Sequence, residues 1–151
     1  MIQNRLRDSD IHFYLANLLV DFTFVENLYR PGEEGERRGA YLIDLLQQAN
    51  ETGMPEKKSC YKHIGDFSLF MLGMFPEHIA RRRNALPANY YSDFGRIGYK
   101  AAGQLESDSS RIGVYRKLAE EFETCVESLH MVREYTTDPF YQYMLNQFNI
   151  S

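Results

Sequence analysis

Two short constellations in this chain of 151 residues have the residue types and spacing for chemistry. His63 and Asp66, three residues apart, lie about 60° from each other on one side of a helix. Such a pair can orient an imidazole for base work or supply two metal ligands. The same spacing lets the two groups satisfy one another, or cap neighbouring helix ends, where a helix enters the core. Glu127-Ser-Leu-His130 has the Glu-x-x-His spacing with which di-iron carboxylate bundles project ligands inward. It occurs once, whereas those bundles need a second such pair and a glutamate from each of two further helices. Only the reversed His63-x-x-Asp66, with Asp21, Glu26 or Asp44, stands in for them here. Charged helices throw up isolated Glu-x-x-His pairs readily, so a solvated surface pair is the plainer reading, and neither a metal nor another cofactor is expected.

The remaining chemical residues say less. Glu77 and His78 are adjacent, and neighbouring helical residues do not face each other. Arg81, Arg82 and Arg83, with Arg96 and Lys100 one helix on, could form a basic patch for phosphate or an acidic partner. No glycine-rich phosphate-binding spacing accompanies them, and a charge run of this kind is usually a solvated connection. Cys60 is three residues from His63, a hint of a thiolate pair, with a helix-start core contact as the plainer alternative. The chain has no G-x-S-x-G, P-loop, dinucleotide fingerprint or H-E-x-x-H.

The element that positions His63 and Asp66 is Cys60 to Asn84. Within it, Phe67 to Phe75 carries no charge, and only Ser68 and Gly73 interrupt large apolar side chains. A helix that is hydrophobic on all sides must be covered on all sides, so this is expected to be a buried central helix over about 60–72. Ser59 is its candidate cap, Gly73 and Pro76 set its end, and a short turn follows from Glu77 to Ala80. Around it, Ser9 to Tyr29 repeats apolar residues at three- and four-residue steps and should form a long first helix, closed by Arg30-Pro31-Gly32. Glu36 to Asn50 makes a shorter second one. Tyr90 to Leu105 makes a fourth, and Val114, Leu118, Phe122, Val126, Leu129 and Val132 a fifth. Asp138 and Pro139 open a short terminal helix over Phe140 to Phe148. No alternating strand pattern of useful length is present. The expectation is an all-α, single-domain bundle, 1–151, of five or six helices around the buried central one.

Bulk properties narrow the function classes. One domain of this length can bury a sizeable core. Seventeen Lys and Arg against twenty-one Asp and Glu leave a formal charge of −4, which gives no field for gathering nucleic acid. Cys60 and Cys125 form neither a disulfide framework nor a zinc grouping, which fits a reducing, cytoplasmic setting. The opening MIQNRLRDSD lacks the apolar stretch of a signal peptide, and no apolar run approaches the ~20 residues of a membrane span, so neither export nor a membrane partner is expected. Eleven Tyr and ten Phe with no Trp supply large rings for a core, or for an interface or ligand pocket that uses the polar tip of tyrosine.

His63-Ile64-Gly65-Asp66, then Leu69-Phe70, Gly73, Phe75-Pro76-Glu77, Tyr90-Tyr91, Gly95 and Tyr99 together resemble an uncharacterised family of small bacterial all-helical proteins. The resemblance covers the middle third of the chain and extends weakly to Tyr14-Leu15 and Leu18-Leu19. It implies a bacterial, cytoplasmic helical protein and transfers no activity and no functional residue.

The first functional expectation is a non-enzymatic interaction or scaffold protein, a homodimer or the binder of a protein partner. Tyr90, Tyr91, Phe94, Gly95, Gly98 and Ala102 are the interface candidates, because the two glycines and Ala102 lie on one narrow stripe that lets another backbone approach. That backbone would be the central helix, through Gly73 or Ser68, or the same helix of a second copy. The rival is a metal-binding or small-ligand-binding bundle, a candidate enzyme, using His63, Asp66, Glu127 and His130.

Overall fold

The computed structural model describes residues 8–22, 38–81 and 88–134, with the side chains of Asp8, Arg38, Gly39, Ala40, His78, Ala80 and Arg81 outside that description. The expected terminal helix 140–148, the Pro31 turn and the end of the first helix beyond Phe22, as well as the Arg82-Arg83 connection, lie outside the described residues. Within them the chain forms helices α1 (Asp8–Asp21), α2 (Arg38–Glu51), α3 (Glu56–Met74), α4 (Pro76–Arg81), α5 (Ala88–Leu105), α6 (Ser109–Glu120) and α7 (Phe122–Glu134), and no strand. The fold is an all-α bundle around α3.

Every residue of α3 from Ile64 to Met74 is buried, because α5, α2, α7 and α1 all pack against it. The helix starts earlier than expected. Pro55 already has helical backbone angles and no side chain caps the end, so Ser59 is an interior residue that donates its N–H to Pro55 O. It ends where Pro76 demands. The residue before a proline is pushed out of the helical region, and Phe75 stands at φ −134° and ψ 47° while its N–H still bonds to Met71 O. Pro76 then opens α4 at the first-turn position that tolerates it. Phe70 is fully buried, with its ring 5.0 Å from that of Phe22 and 5.7 Å from that of Phe75, both edge-on.

The expected fifth helix is two helices. Glu121 leaves the helical region at φ −114° and ψ 37°, and α7 begins at the next residue. The buried stripe runs on through the break, from Tyr115 and Leu118 to Phe122, Cys125, Val126 and Leu129. The neighbours change, however: α6 packs mainly on α5, and α7 mainly on α3. One straight helix cannot follow both.

α5 crosses α3 with almost no separation between backbones. A Cβ added to Gly98 would stand 2.6 Å from both Gly65 N and Tyr61 O. The crossing expected through Gly73 or Ser68 therefore runs through Gly65, and Gly73 instead receives Leu129 of α7, whose Cβ would lie 2.5 Å from a Cβ there.

The α5–α6 turn is held by Glu106, which is buried. Its Oε2 accepts the N–H groups of Ser107 and Asp108 and pairs with Arg111, while Oε1 accepts from Lys58 Nζ at 3.0 Å. Asp108 then caps α6 by accepting from Ser110 N and Arg111 N. The Asp108 N–H, then Lys58 and Arg111, hold the Glu106 carboxyl at about 2 against an ordinary value of 4.5.

Phe70→Ala should lower stability by about 3–5 kcal/mol in denaturant titration, through lost burial and a residual cavity; a change under about 1 kcal/mol would contradict the central position of α3. Gly98→Leu should prevent folding at every protein concentration, since both clashing atoms are backbone, whereas Gly53→Ala, with nothing within 4 Å of the added Cβ, should melt like wild type. A carboxyl held low in the folded state stabilises above its unfolded pKa and loses that contribution as pH falls through the folded one. Wild type should therefore lose stability more steeply than Glu106→Gln between pH 4.5 and about 2, and parallel acid titrations would refute that role.

Candidate functional site

Asp66 is a carboxylate in the middle of the buried stretch of α3, and burying an ion without partners is prohibitive. Three donors from three helices meet it. Tyr14 of α1 and Tyr99 of α5 donate their hydroxyls to Oδ1 at 2.7 and 2.6 Å. Lys62, one turn earlier on α3, donates to Oδ2 at 2.6 Å. The Lys62 ammonium also stands 5.5 Å from the centre of the Tyr14 ring, a distance at which a cation is attracted by the ring face. Tyr115 of α6 completes the aromatic wall, stacked 6.4 Å from Tyr99 and edge-on to Tyr14.

Tyr14, Lys62, Asp66 and Tyr115 of this cluster line a cavity of about 390 Å³ between α1, α3 and α6. Phe13, Tyr14, Leu18, Val114 and Tyr115 supply its apolar lining; Asp10, Asp21 and Asp66 stand against Lys62 and Arg111 as its charges. Burial, followed by the Asp66 charge, pushes the Tyr14 and Tyr99 hydroxyls well above the usual tyrosine range. Burial raises Tyr115 as well. For Lys62 burial pulls down, but the adjoining Asp66 carboxylate more than offsets it, so the ammonium is held more firmly than an ordinary lysine.

The four residues of the expected polar site do not converge. His63 turns away from Asp66 toward α2, with Nε2 3.1 Å from the Tyr41 hydroxyl and its ring edge-on to Phe22. His130 has Nε2 3.1 Å from Leu72 O, at the far end of α3, and nine residues of helix put roughly 13 Å between those two anchors. Glu127 is exposed. Among the described residues, no group of three or more His, Cys, Asp and Glu is placed to hold a metal ion. Glu77 pairs with Arg133, Cys60 Sγ donates to Leu45 O, and burial pushes the Cys125 thiol up to about 12, far from a reactive thiolate.

Of the six interface candidates, Tyr91, Gly95, Gly98 and Ala102 are buried within the chain. Gly98 meets α3, and Gly95 lies under the Phe122 ring, 2.3 Å from where its Cβ would be. Tyr90 is exposed and Phe94 half-buried. The residues missed in the sequence are Lys62, Tyr14 and Tyr99. Lys62 was within reach, since a lysine four residues from an aspartate shares its helix face; the tyrosines come from 52 and 33 positions away, with no local signal.

Asp66→Ala should cost about 1–3 kcal/mol, because it leaves the buried Tyr99 hydroxyl without its acceptor. Tyr99→Phe should cost about 1.5–3 kcal/mol, as expected for one hydrogen bond to a charged acceptor. Denaturant titration reads both; Asp66→Ala at wild-type stability would show that the network holds nothing together.

Compared with models of protein families, with curated proteins and with solved structures, the chain has no match.

Proposed function

We propose that this chain is a small-ligand-binding helical bundle whose site is the cavity over Asp66, and that it binds without turning its ligand over. The observation that carries this reading is a buried carboxylate, fully engaged by Tyr14, Tyr99 and Lys62, at the floor of a cavity of about 390 Å³ with aromatic walls. Convergent polar groups with displaced pKa values in an otherwise apolar concavity mark binding and active sites. The direction of those displacements favours binding. General acid–base work needs a group that titrates near the working pH, whereas the tyrosines and Lys62 are all moved upward, away from neutrality.

The lining favours an organic cation. Three carboxylates stand against two cations, Asp66 and Lys62 balance each other, and Arg111 is drawn outward to Glu106. Exposed Asp10 adds negative charge beside Phe13, Tyr14 and Tyr115, a combination that suits an ammonium group on an apolar body. The bacterial, cytoplasmic setting implied by the sequence resemblance is part of the proposal.

Titration calorimetry with benzylamine, and with benzoate as the anion of similar shape, tests it. Benzylamine should bind saturably and raise the melting temperature, benzoate should do neither, and the exposed double variant Asp10→Asn/Asp21→Asn should bind about tenfold or more weakly, the loss of roughly one charged contact. Equal heats from both compounds, or undiminished binding by the double variant, would refute the organic-cation reading.

A further inference from the structure

One hydroxyl on the wall of the Asp66 cavity has no hydrogen-bond partner among the described residues. Tyr115 is only 5% exposed and lines that cavity, yet its contacts within the described residues are ring contacts alone. Its ring is fixed. It stacks on Tyr99 at 6.4 Å and stands edge-on to Tyr14 at 6.3 Å, while its Cβ packs on α5 where one added to Gly103 would lie 3.3 Å away. A buried hydroxyl is costly unless it is hydrogen-bonded, so a partner has to reach it by way of the cavity.

The groups around this oxygen define what kind of partner is missing. Burial raises the hydroxyl's pKa; of the charges, Lys62 and Arg111 oppose that while Asp66 and Glu106 add to it, so all of them act on the same spot. The carboxylates are close to saturated. Asp66 accepts from Tyr14, Tyr99 and Lys62, and Glu106 from the N–H groups of Ser107 and Asp108, from Lys58 and from Arg111. The cations are not. Lys62 gives one of its three N–H groups to Asp66 and Arg111 gives its Nε–H to Glu106, and among the described residues nothing accepts from the others. Their charges are matched and their donors are in surplus, so this part of the cavity lacks an acceptor rather than an anion.

We propose that Tyr115, with Lys62 and Arg111 beside it, is the specificity-determining residue of the cavity and selects amines whose apolar body carries a neutral acceptor oxygen such as a carbonyl. This rests on the organic-cation reading and narrows it: Asp10 and the aromatic faces take the ammonium, and Tyr115 tells one amine from another. A site with a fixed hydrogen-bonding group discriminates against an analogue that lacks the matching one, because the group of the site is then left unpaired.

Calorimetric titration of wild type and of Tyr115→Phe with benzylamine and with 3- and 4-(aminomethyl)benzamide tests the proposal. In wild type the better amide should bind about three- to tenfold more tightly than benzylamine, the range expected for one hydrogen bond. In Tyr115→Phe that ratio should fall to about one. Without ligand the variant should melt within about 2 °C of wild type, since its missing hydroxyl takes no partner from the protein. A larger drop would show that the hydroxyl is engaged inside the protein and would overturn the proposal, as would amides with no advantage over benzylamine in wild type, or an advantage that survives in Tyr115→Phe. Saturable benzylamine binding in any of these cases leaves the organic-cation reading standing, whereas an absence of binding by all three amines overturns both.

Discussion

The approach of α5 to α3 at Gly98 and Gly65 is the constraint on which the rest of the structure depends. Gly95 and Gly98, two of the three glycines inside α5, forgo about 1 kcal/mol each of helix propensity relative to alanine, and the return is a crossing in which Gly98 sits directly against the α3 backbone. Tyr99, the next residue, is thereby laid flat on Gly65, where an added Cβ would meet ring atoms at 2.7 Å. Only from that position does its hydroxyl reach Asp66. Gly65 thus lacks a side chain to admit the ring of Tyr99, and Gly95 to admit that of Phe122.

Asp66 converts that close packing into orientation. A carboxylate in a low-dielectric interior ties together whatever donors reach it, and its partners here come from α1, α3 and α5. α1 has few contacts with the rest of the bundle apart from those with α6 and α3, so the Tyr14 hydroxyl is a specific polar anchor for it. The place of α1 in turn creates the cavity, since one whole face of α1 from Asp10 to Asp21 forms its wall. The stability of the core and the shape of the proposed site are consequences of one network.

The polar contacts at the other ends of α3 act locally. Lys58 ties the first turns of α3 to the α5–α6 turn through Glu106, while His130 and Arg133 of α7 reach Leu72 O and Glu77 near its end. They clamp the ends of a helix whose middle is held by packing, and they account for two groups, His130 and Glu77, that in the sequence alone read as potential ligands. The inner face of α5 builds the core and presents Tyr99, while its outer face exposes Tyr90 and Ile97 among Asn89, Asp93, Lys100 and Gln104.

By itself the sequence determined that the chain is helical, that Phe67 to Phe75 lies at the centre, and that the central helix stops close to Pro76, though Gly73, expected to help end it, lies within it, because hydrophobic period, the absence of charge and the geometry of proline act over a few residues. It also marked the small-residue face of α5 as a place of close approach. Only the tertiary structure decided what approaches it. Helical periodicity says which side of a helix is apolar, but not which neighbour that side meets or at what height, so the sequence offered Gly73 or Ser68 as the partner of the α5 stripe, and only assembly of the helices put Gly65 there. For the same reason His63-x-x-Asp66 and Glu127-x-x-His130 looked like one four-residue site and are three separate places. Asp66 finds its partners at Tyr14 and Tyr99, across sequence separations of 52 and 33 residues, because a buried charge is satisfied by whatever donors the packing brings within hydrogen-bond reach, and no local rule carries that far.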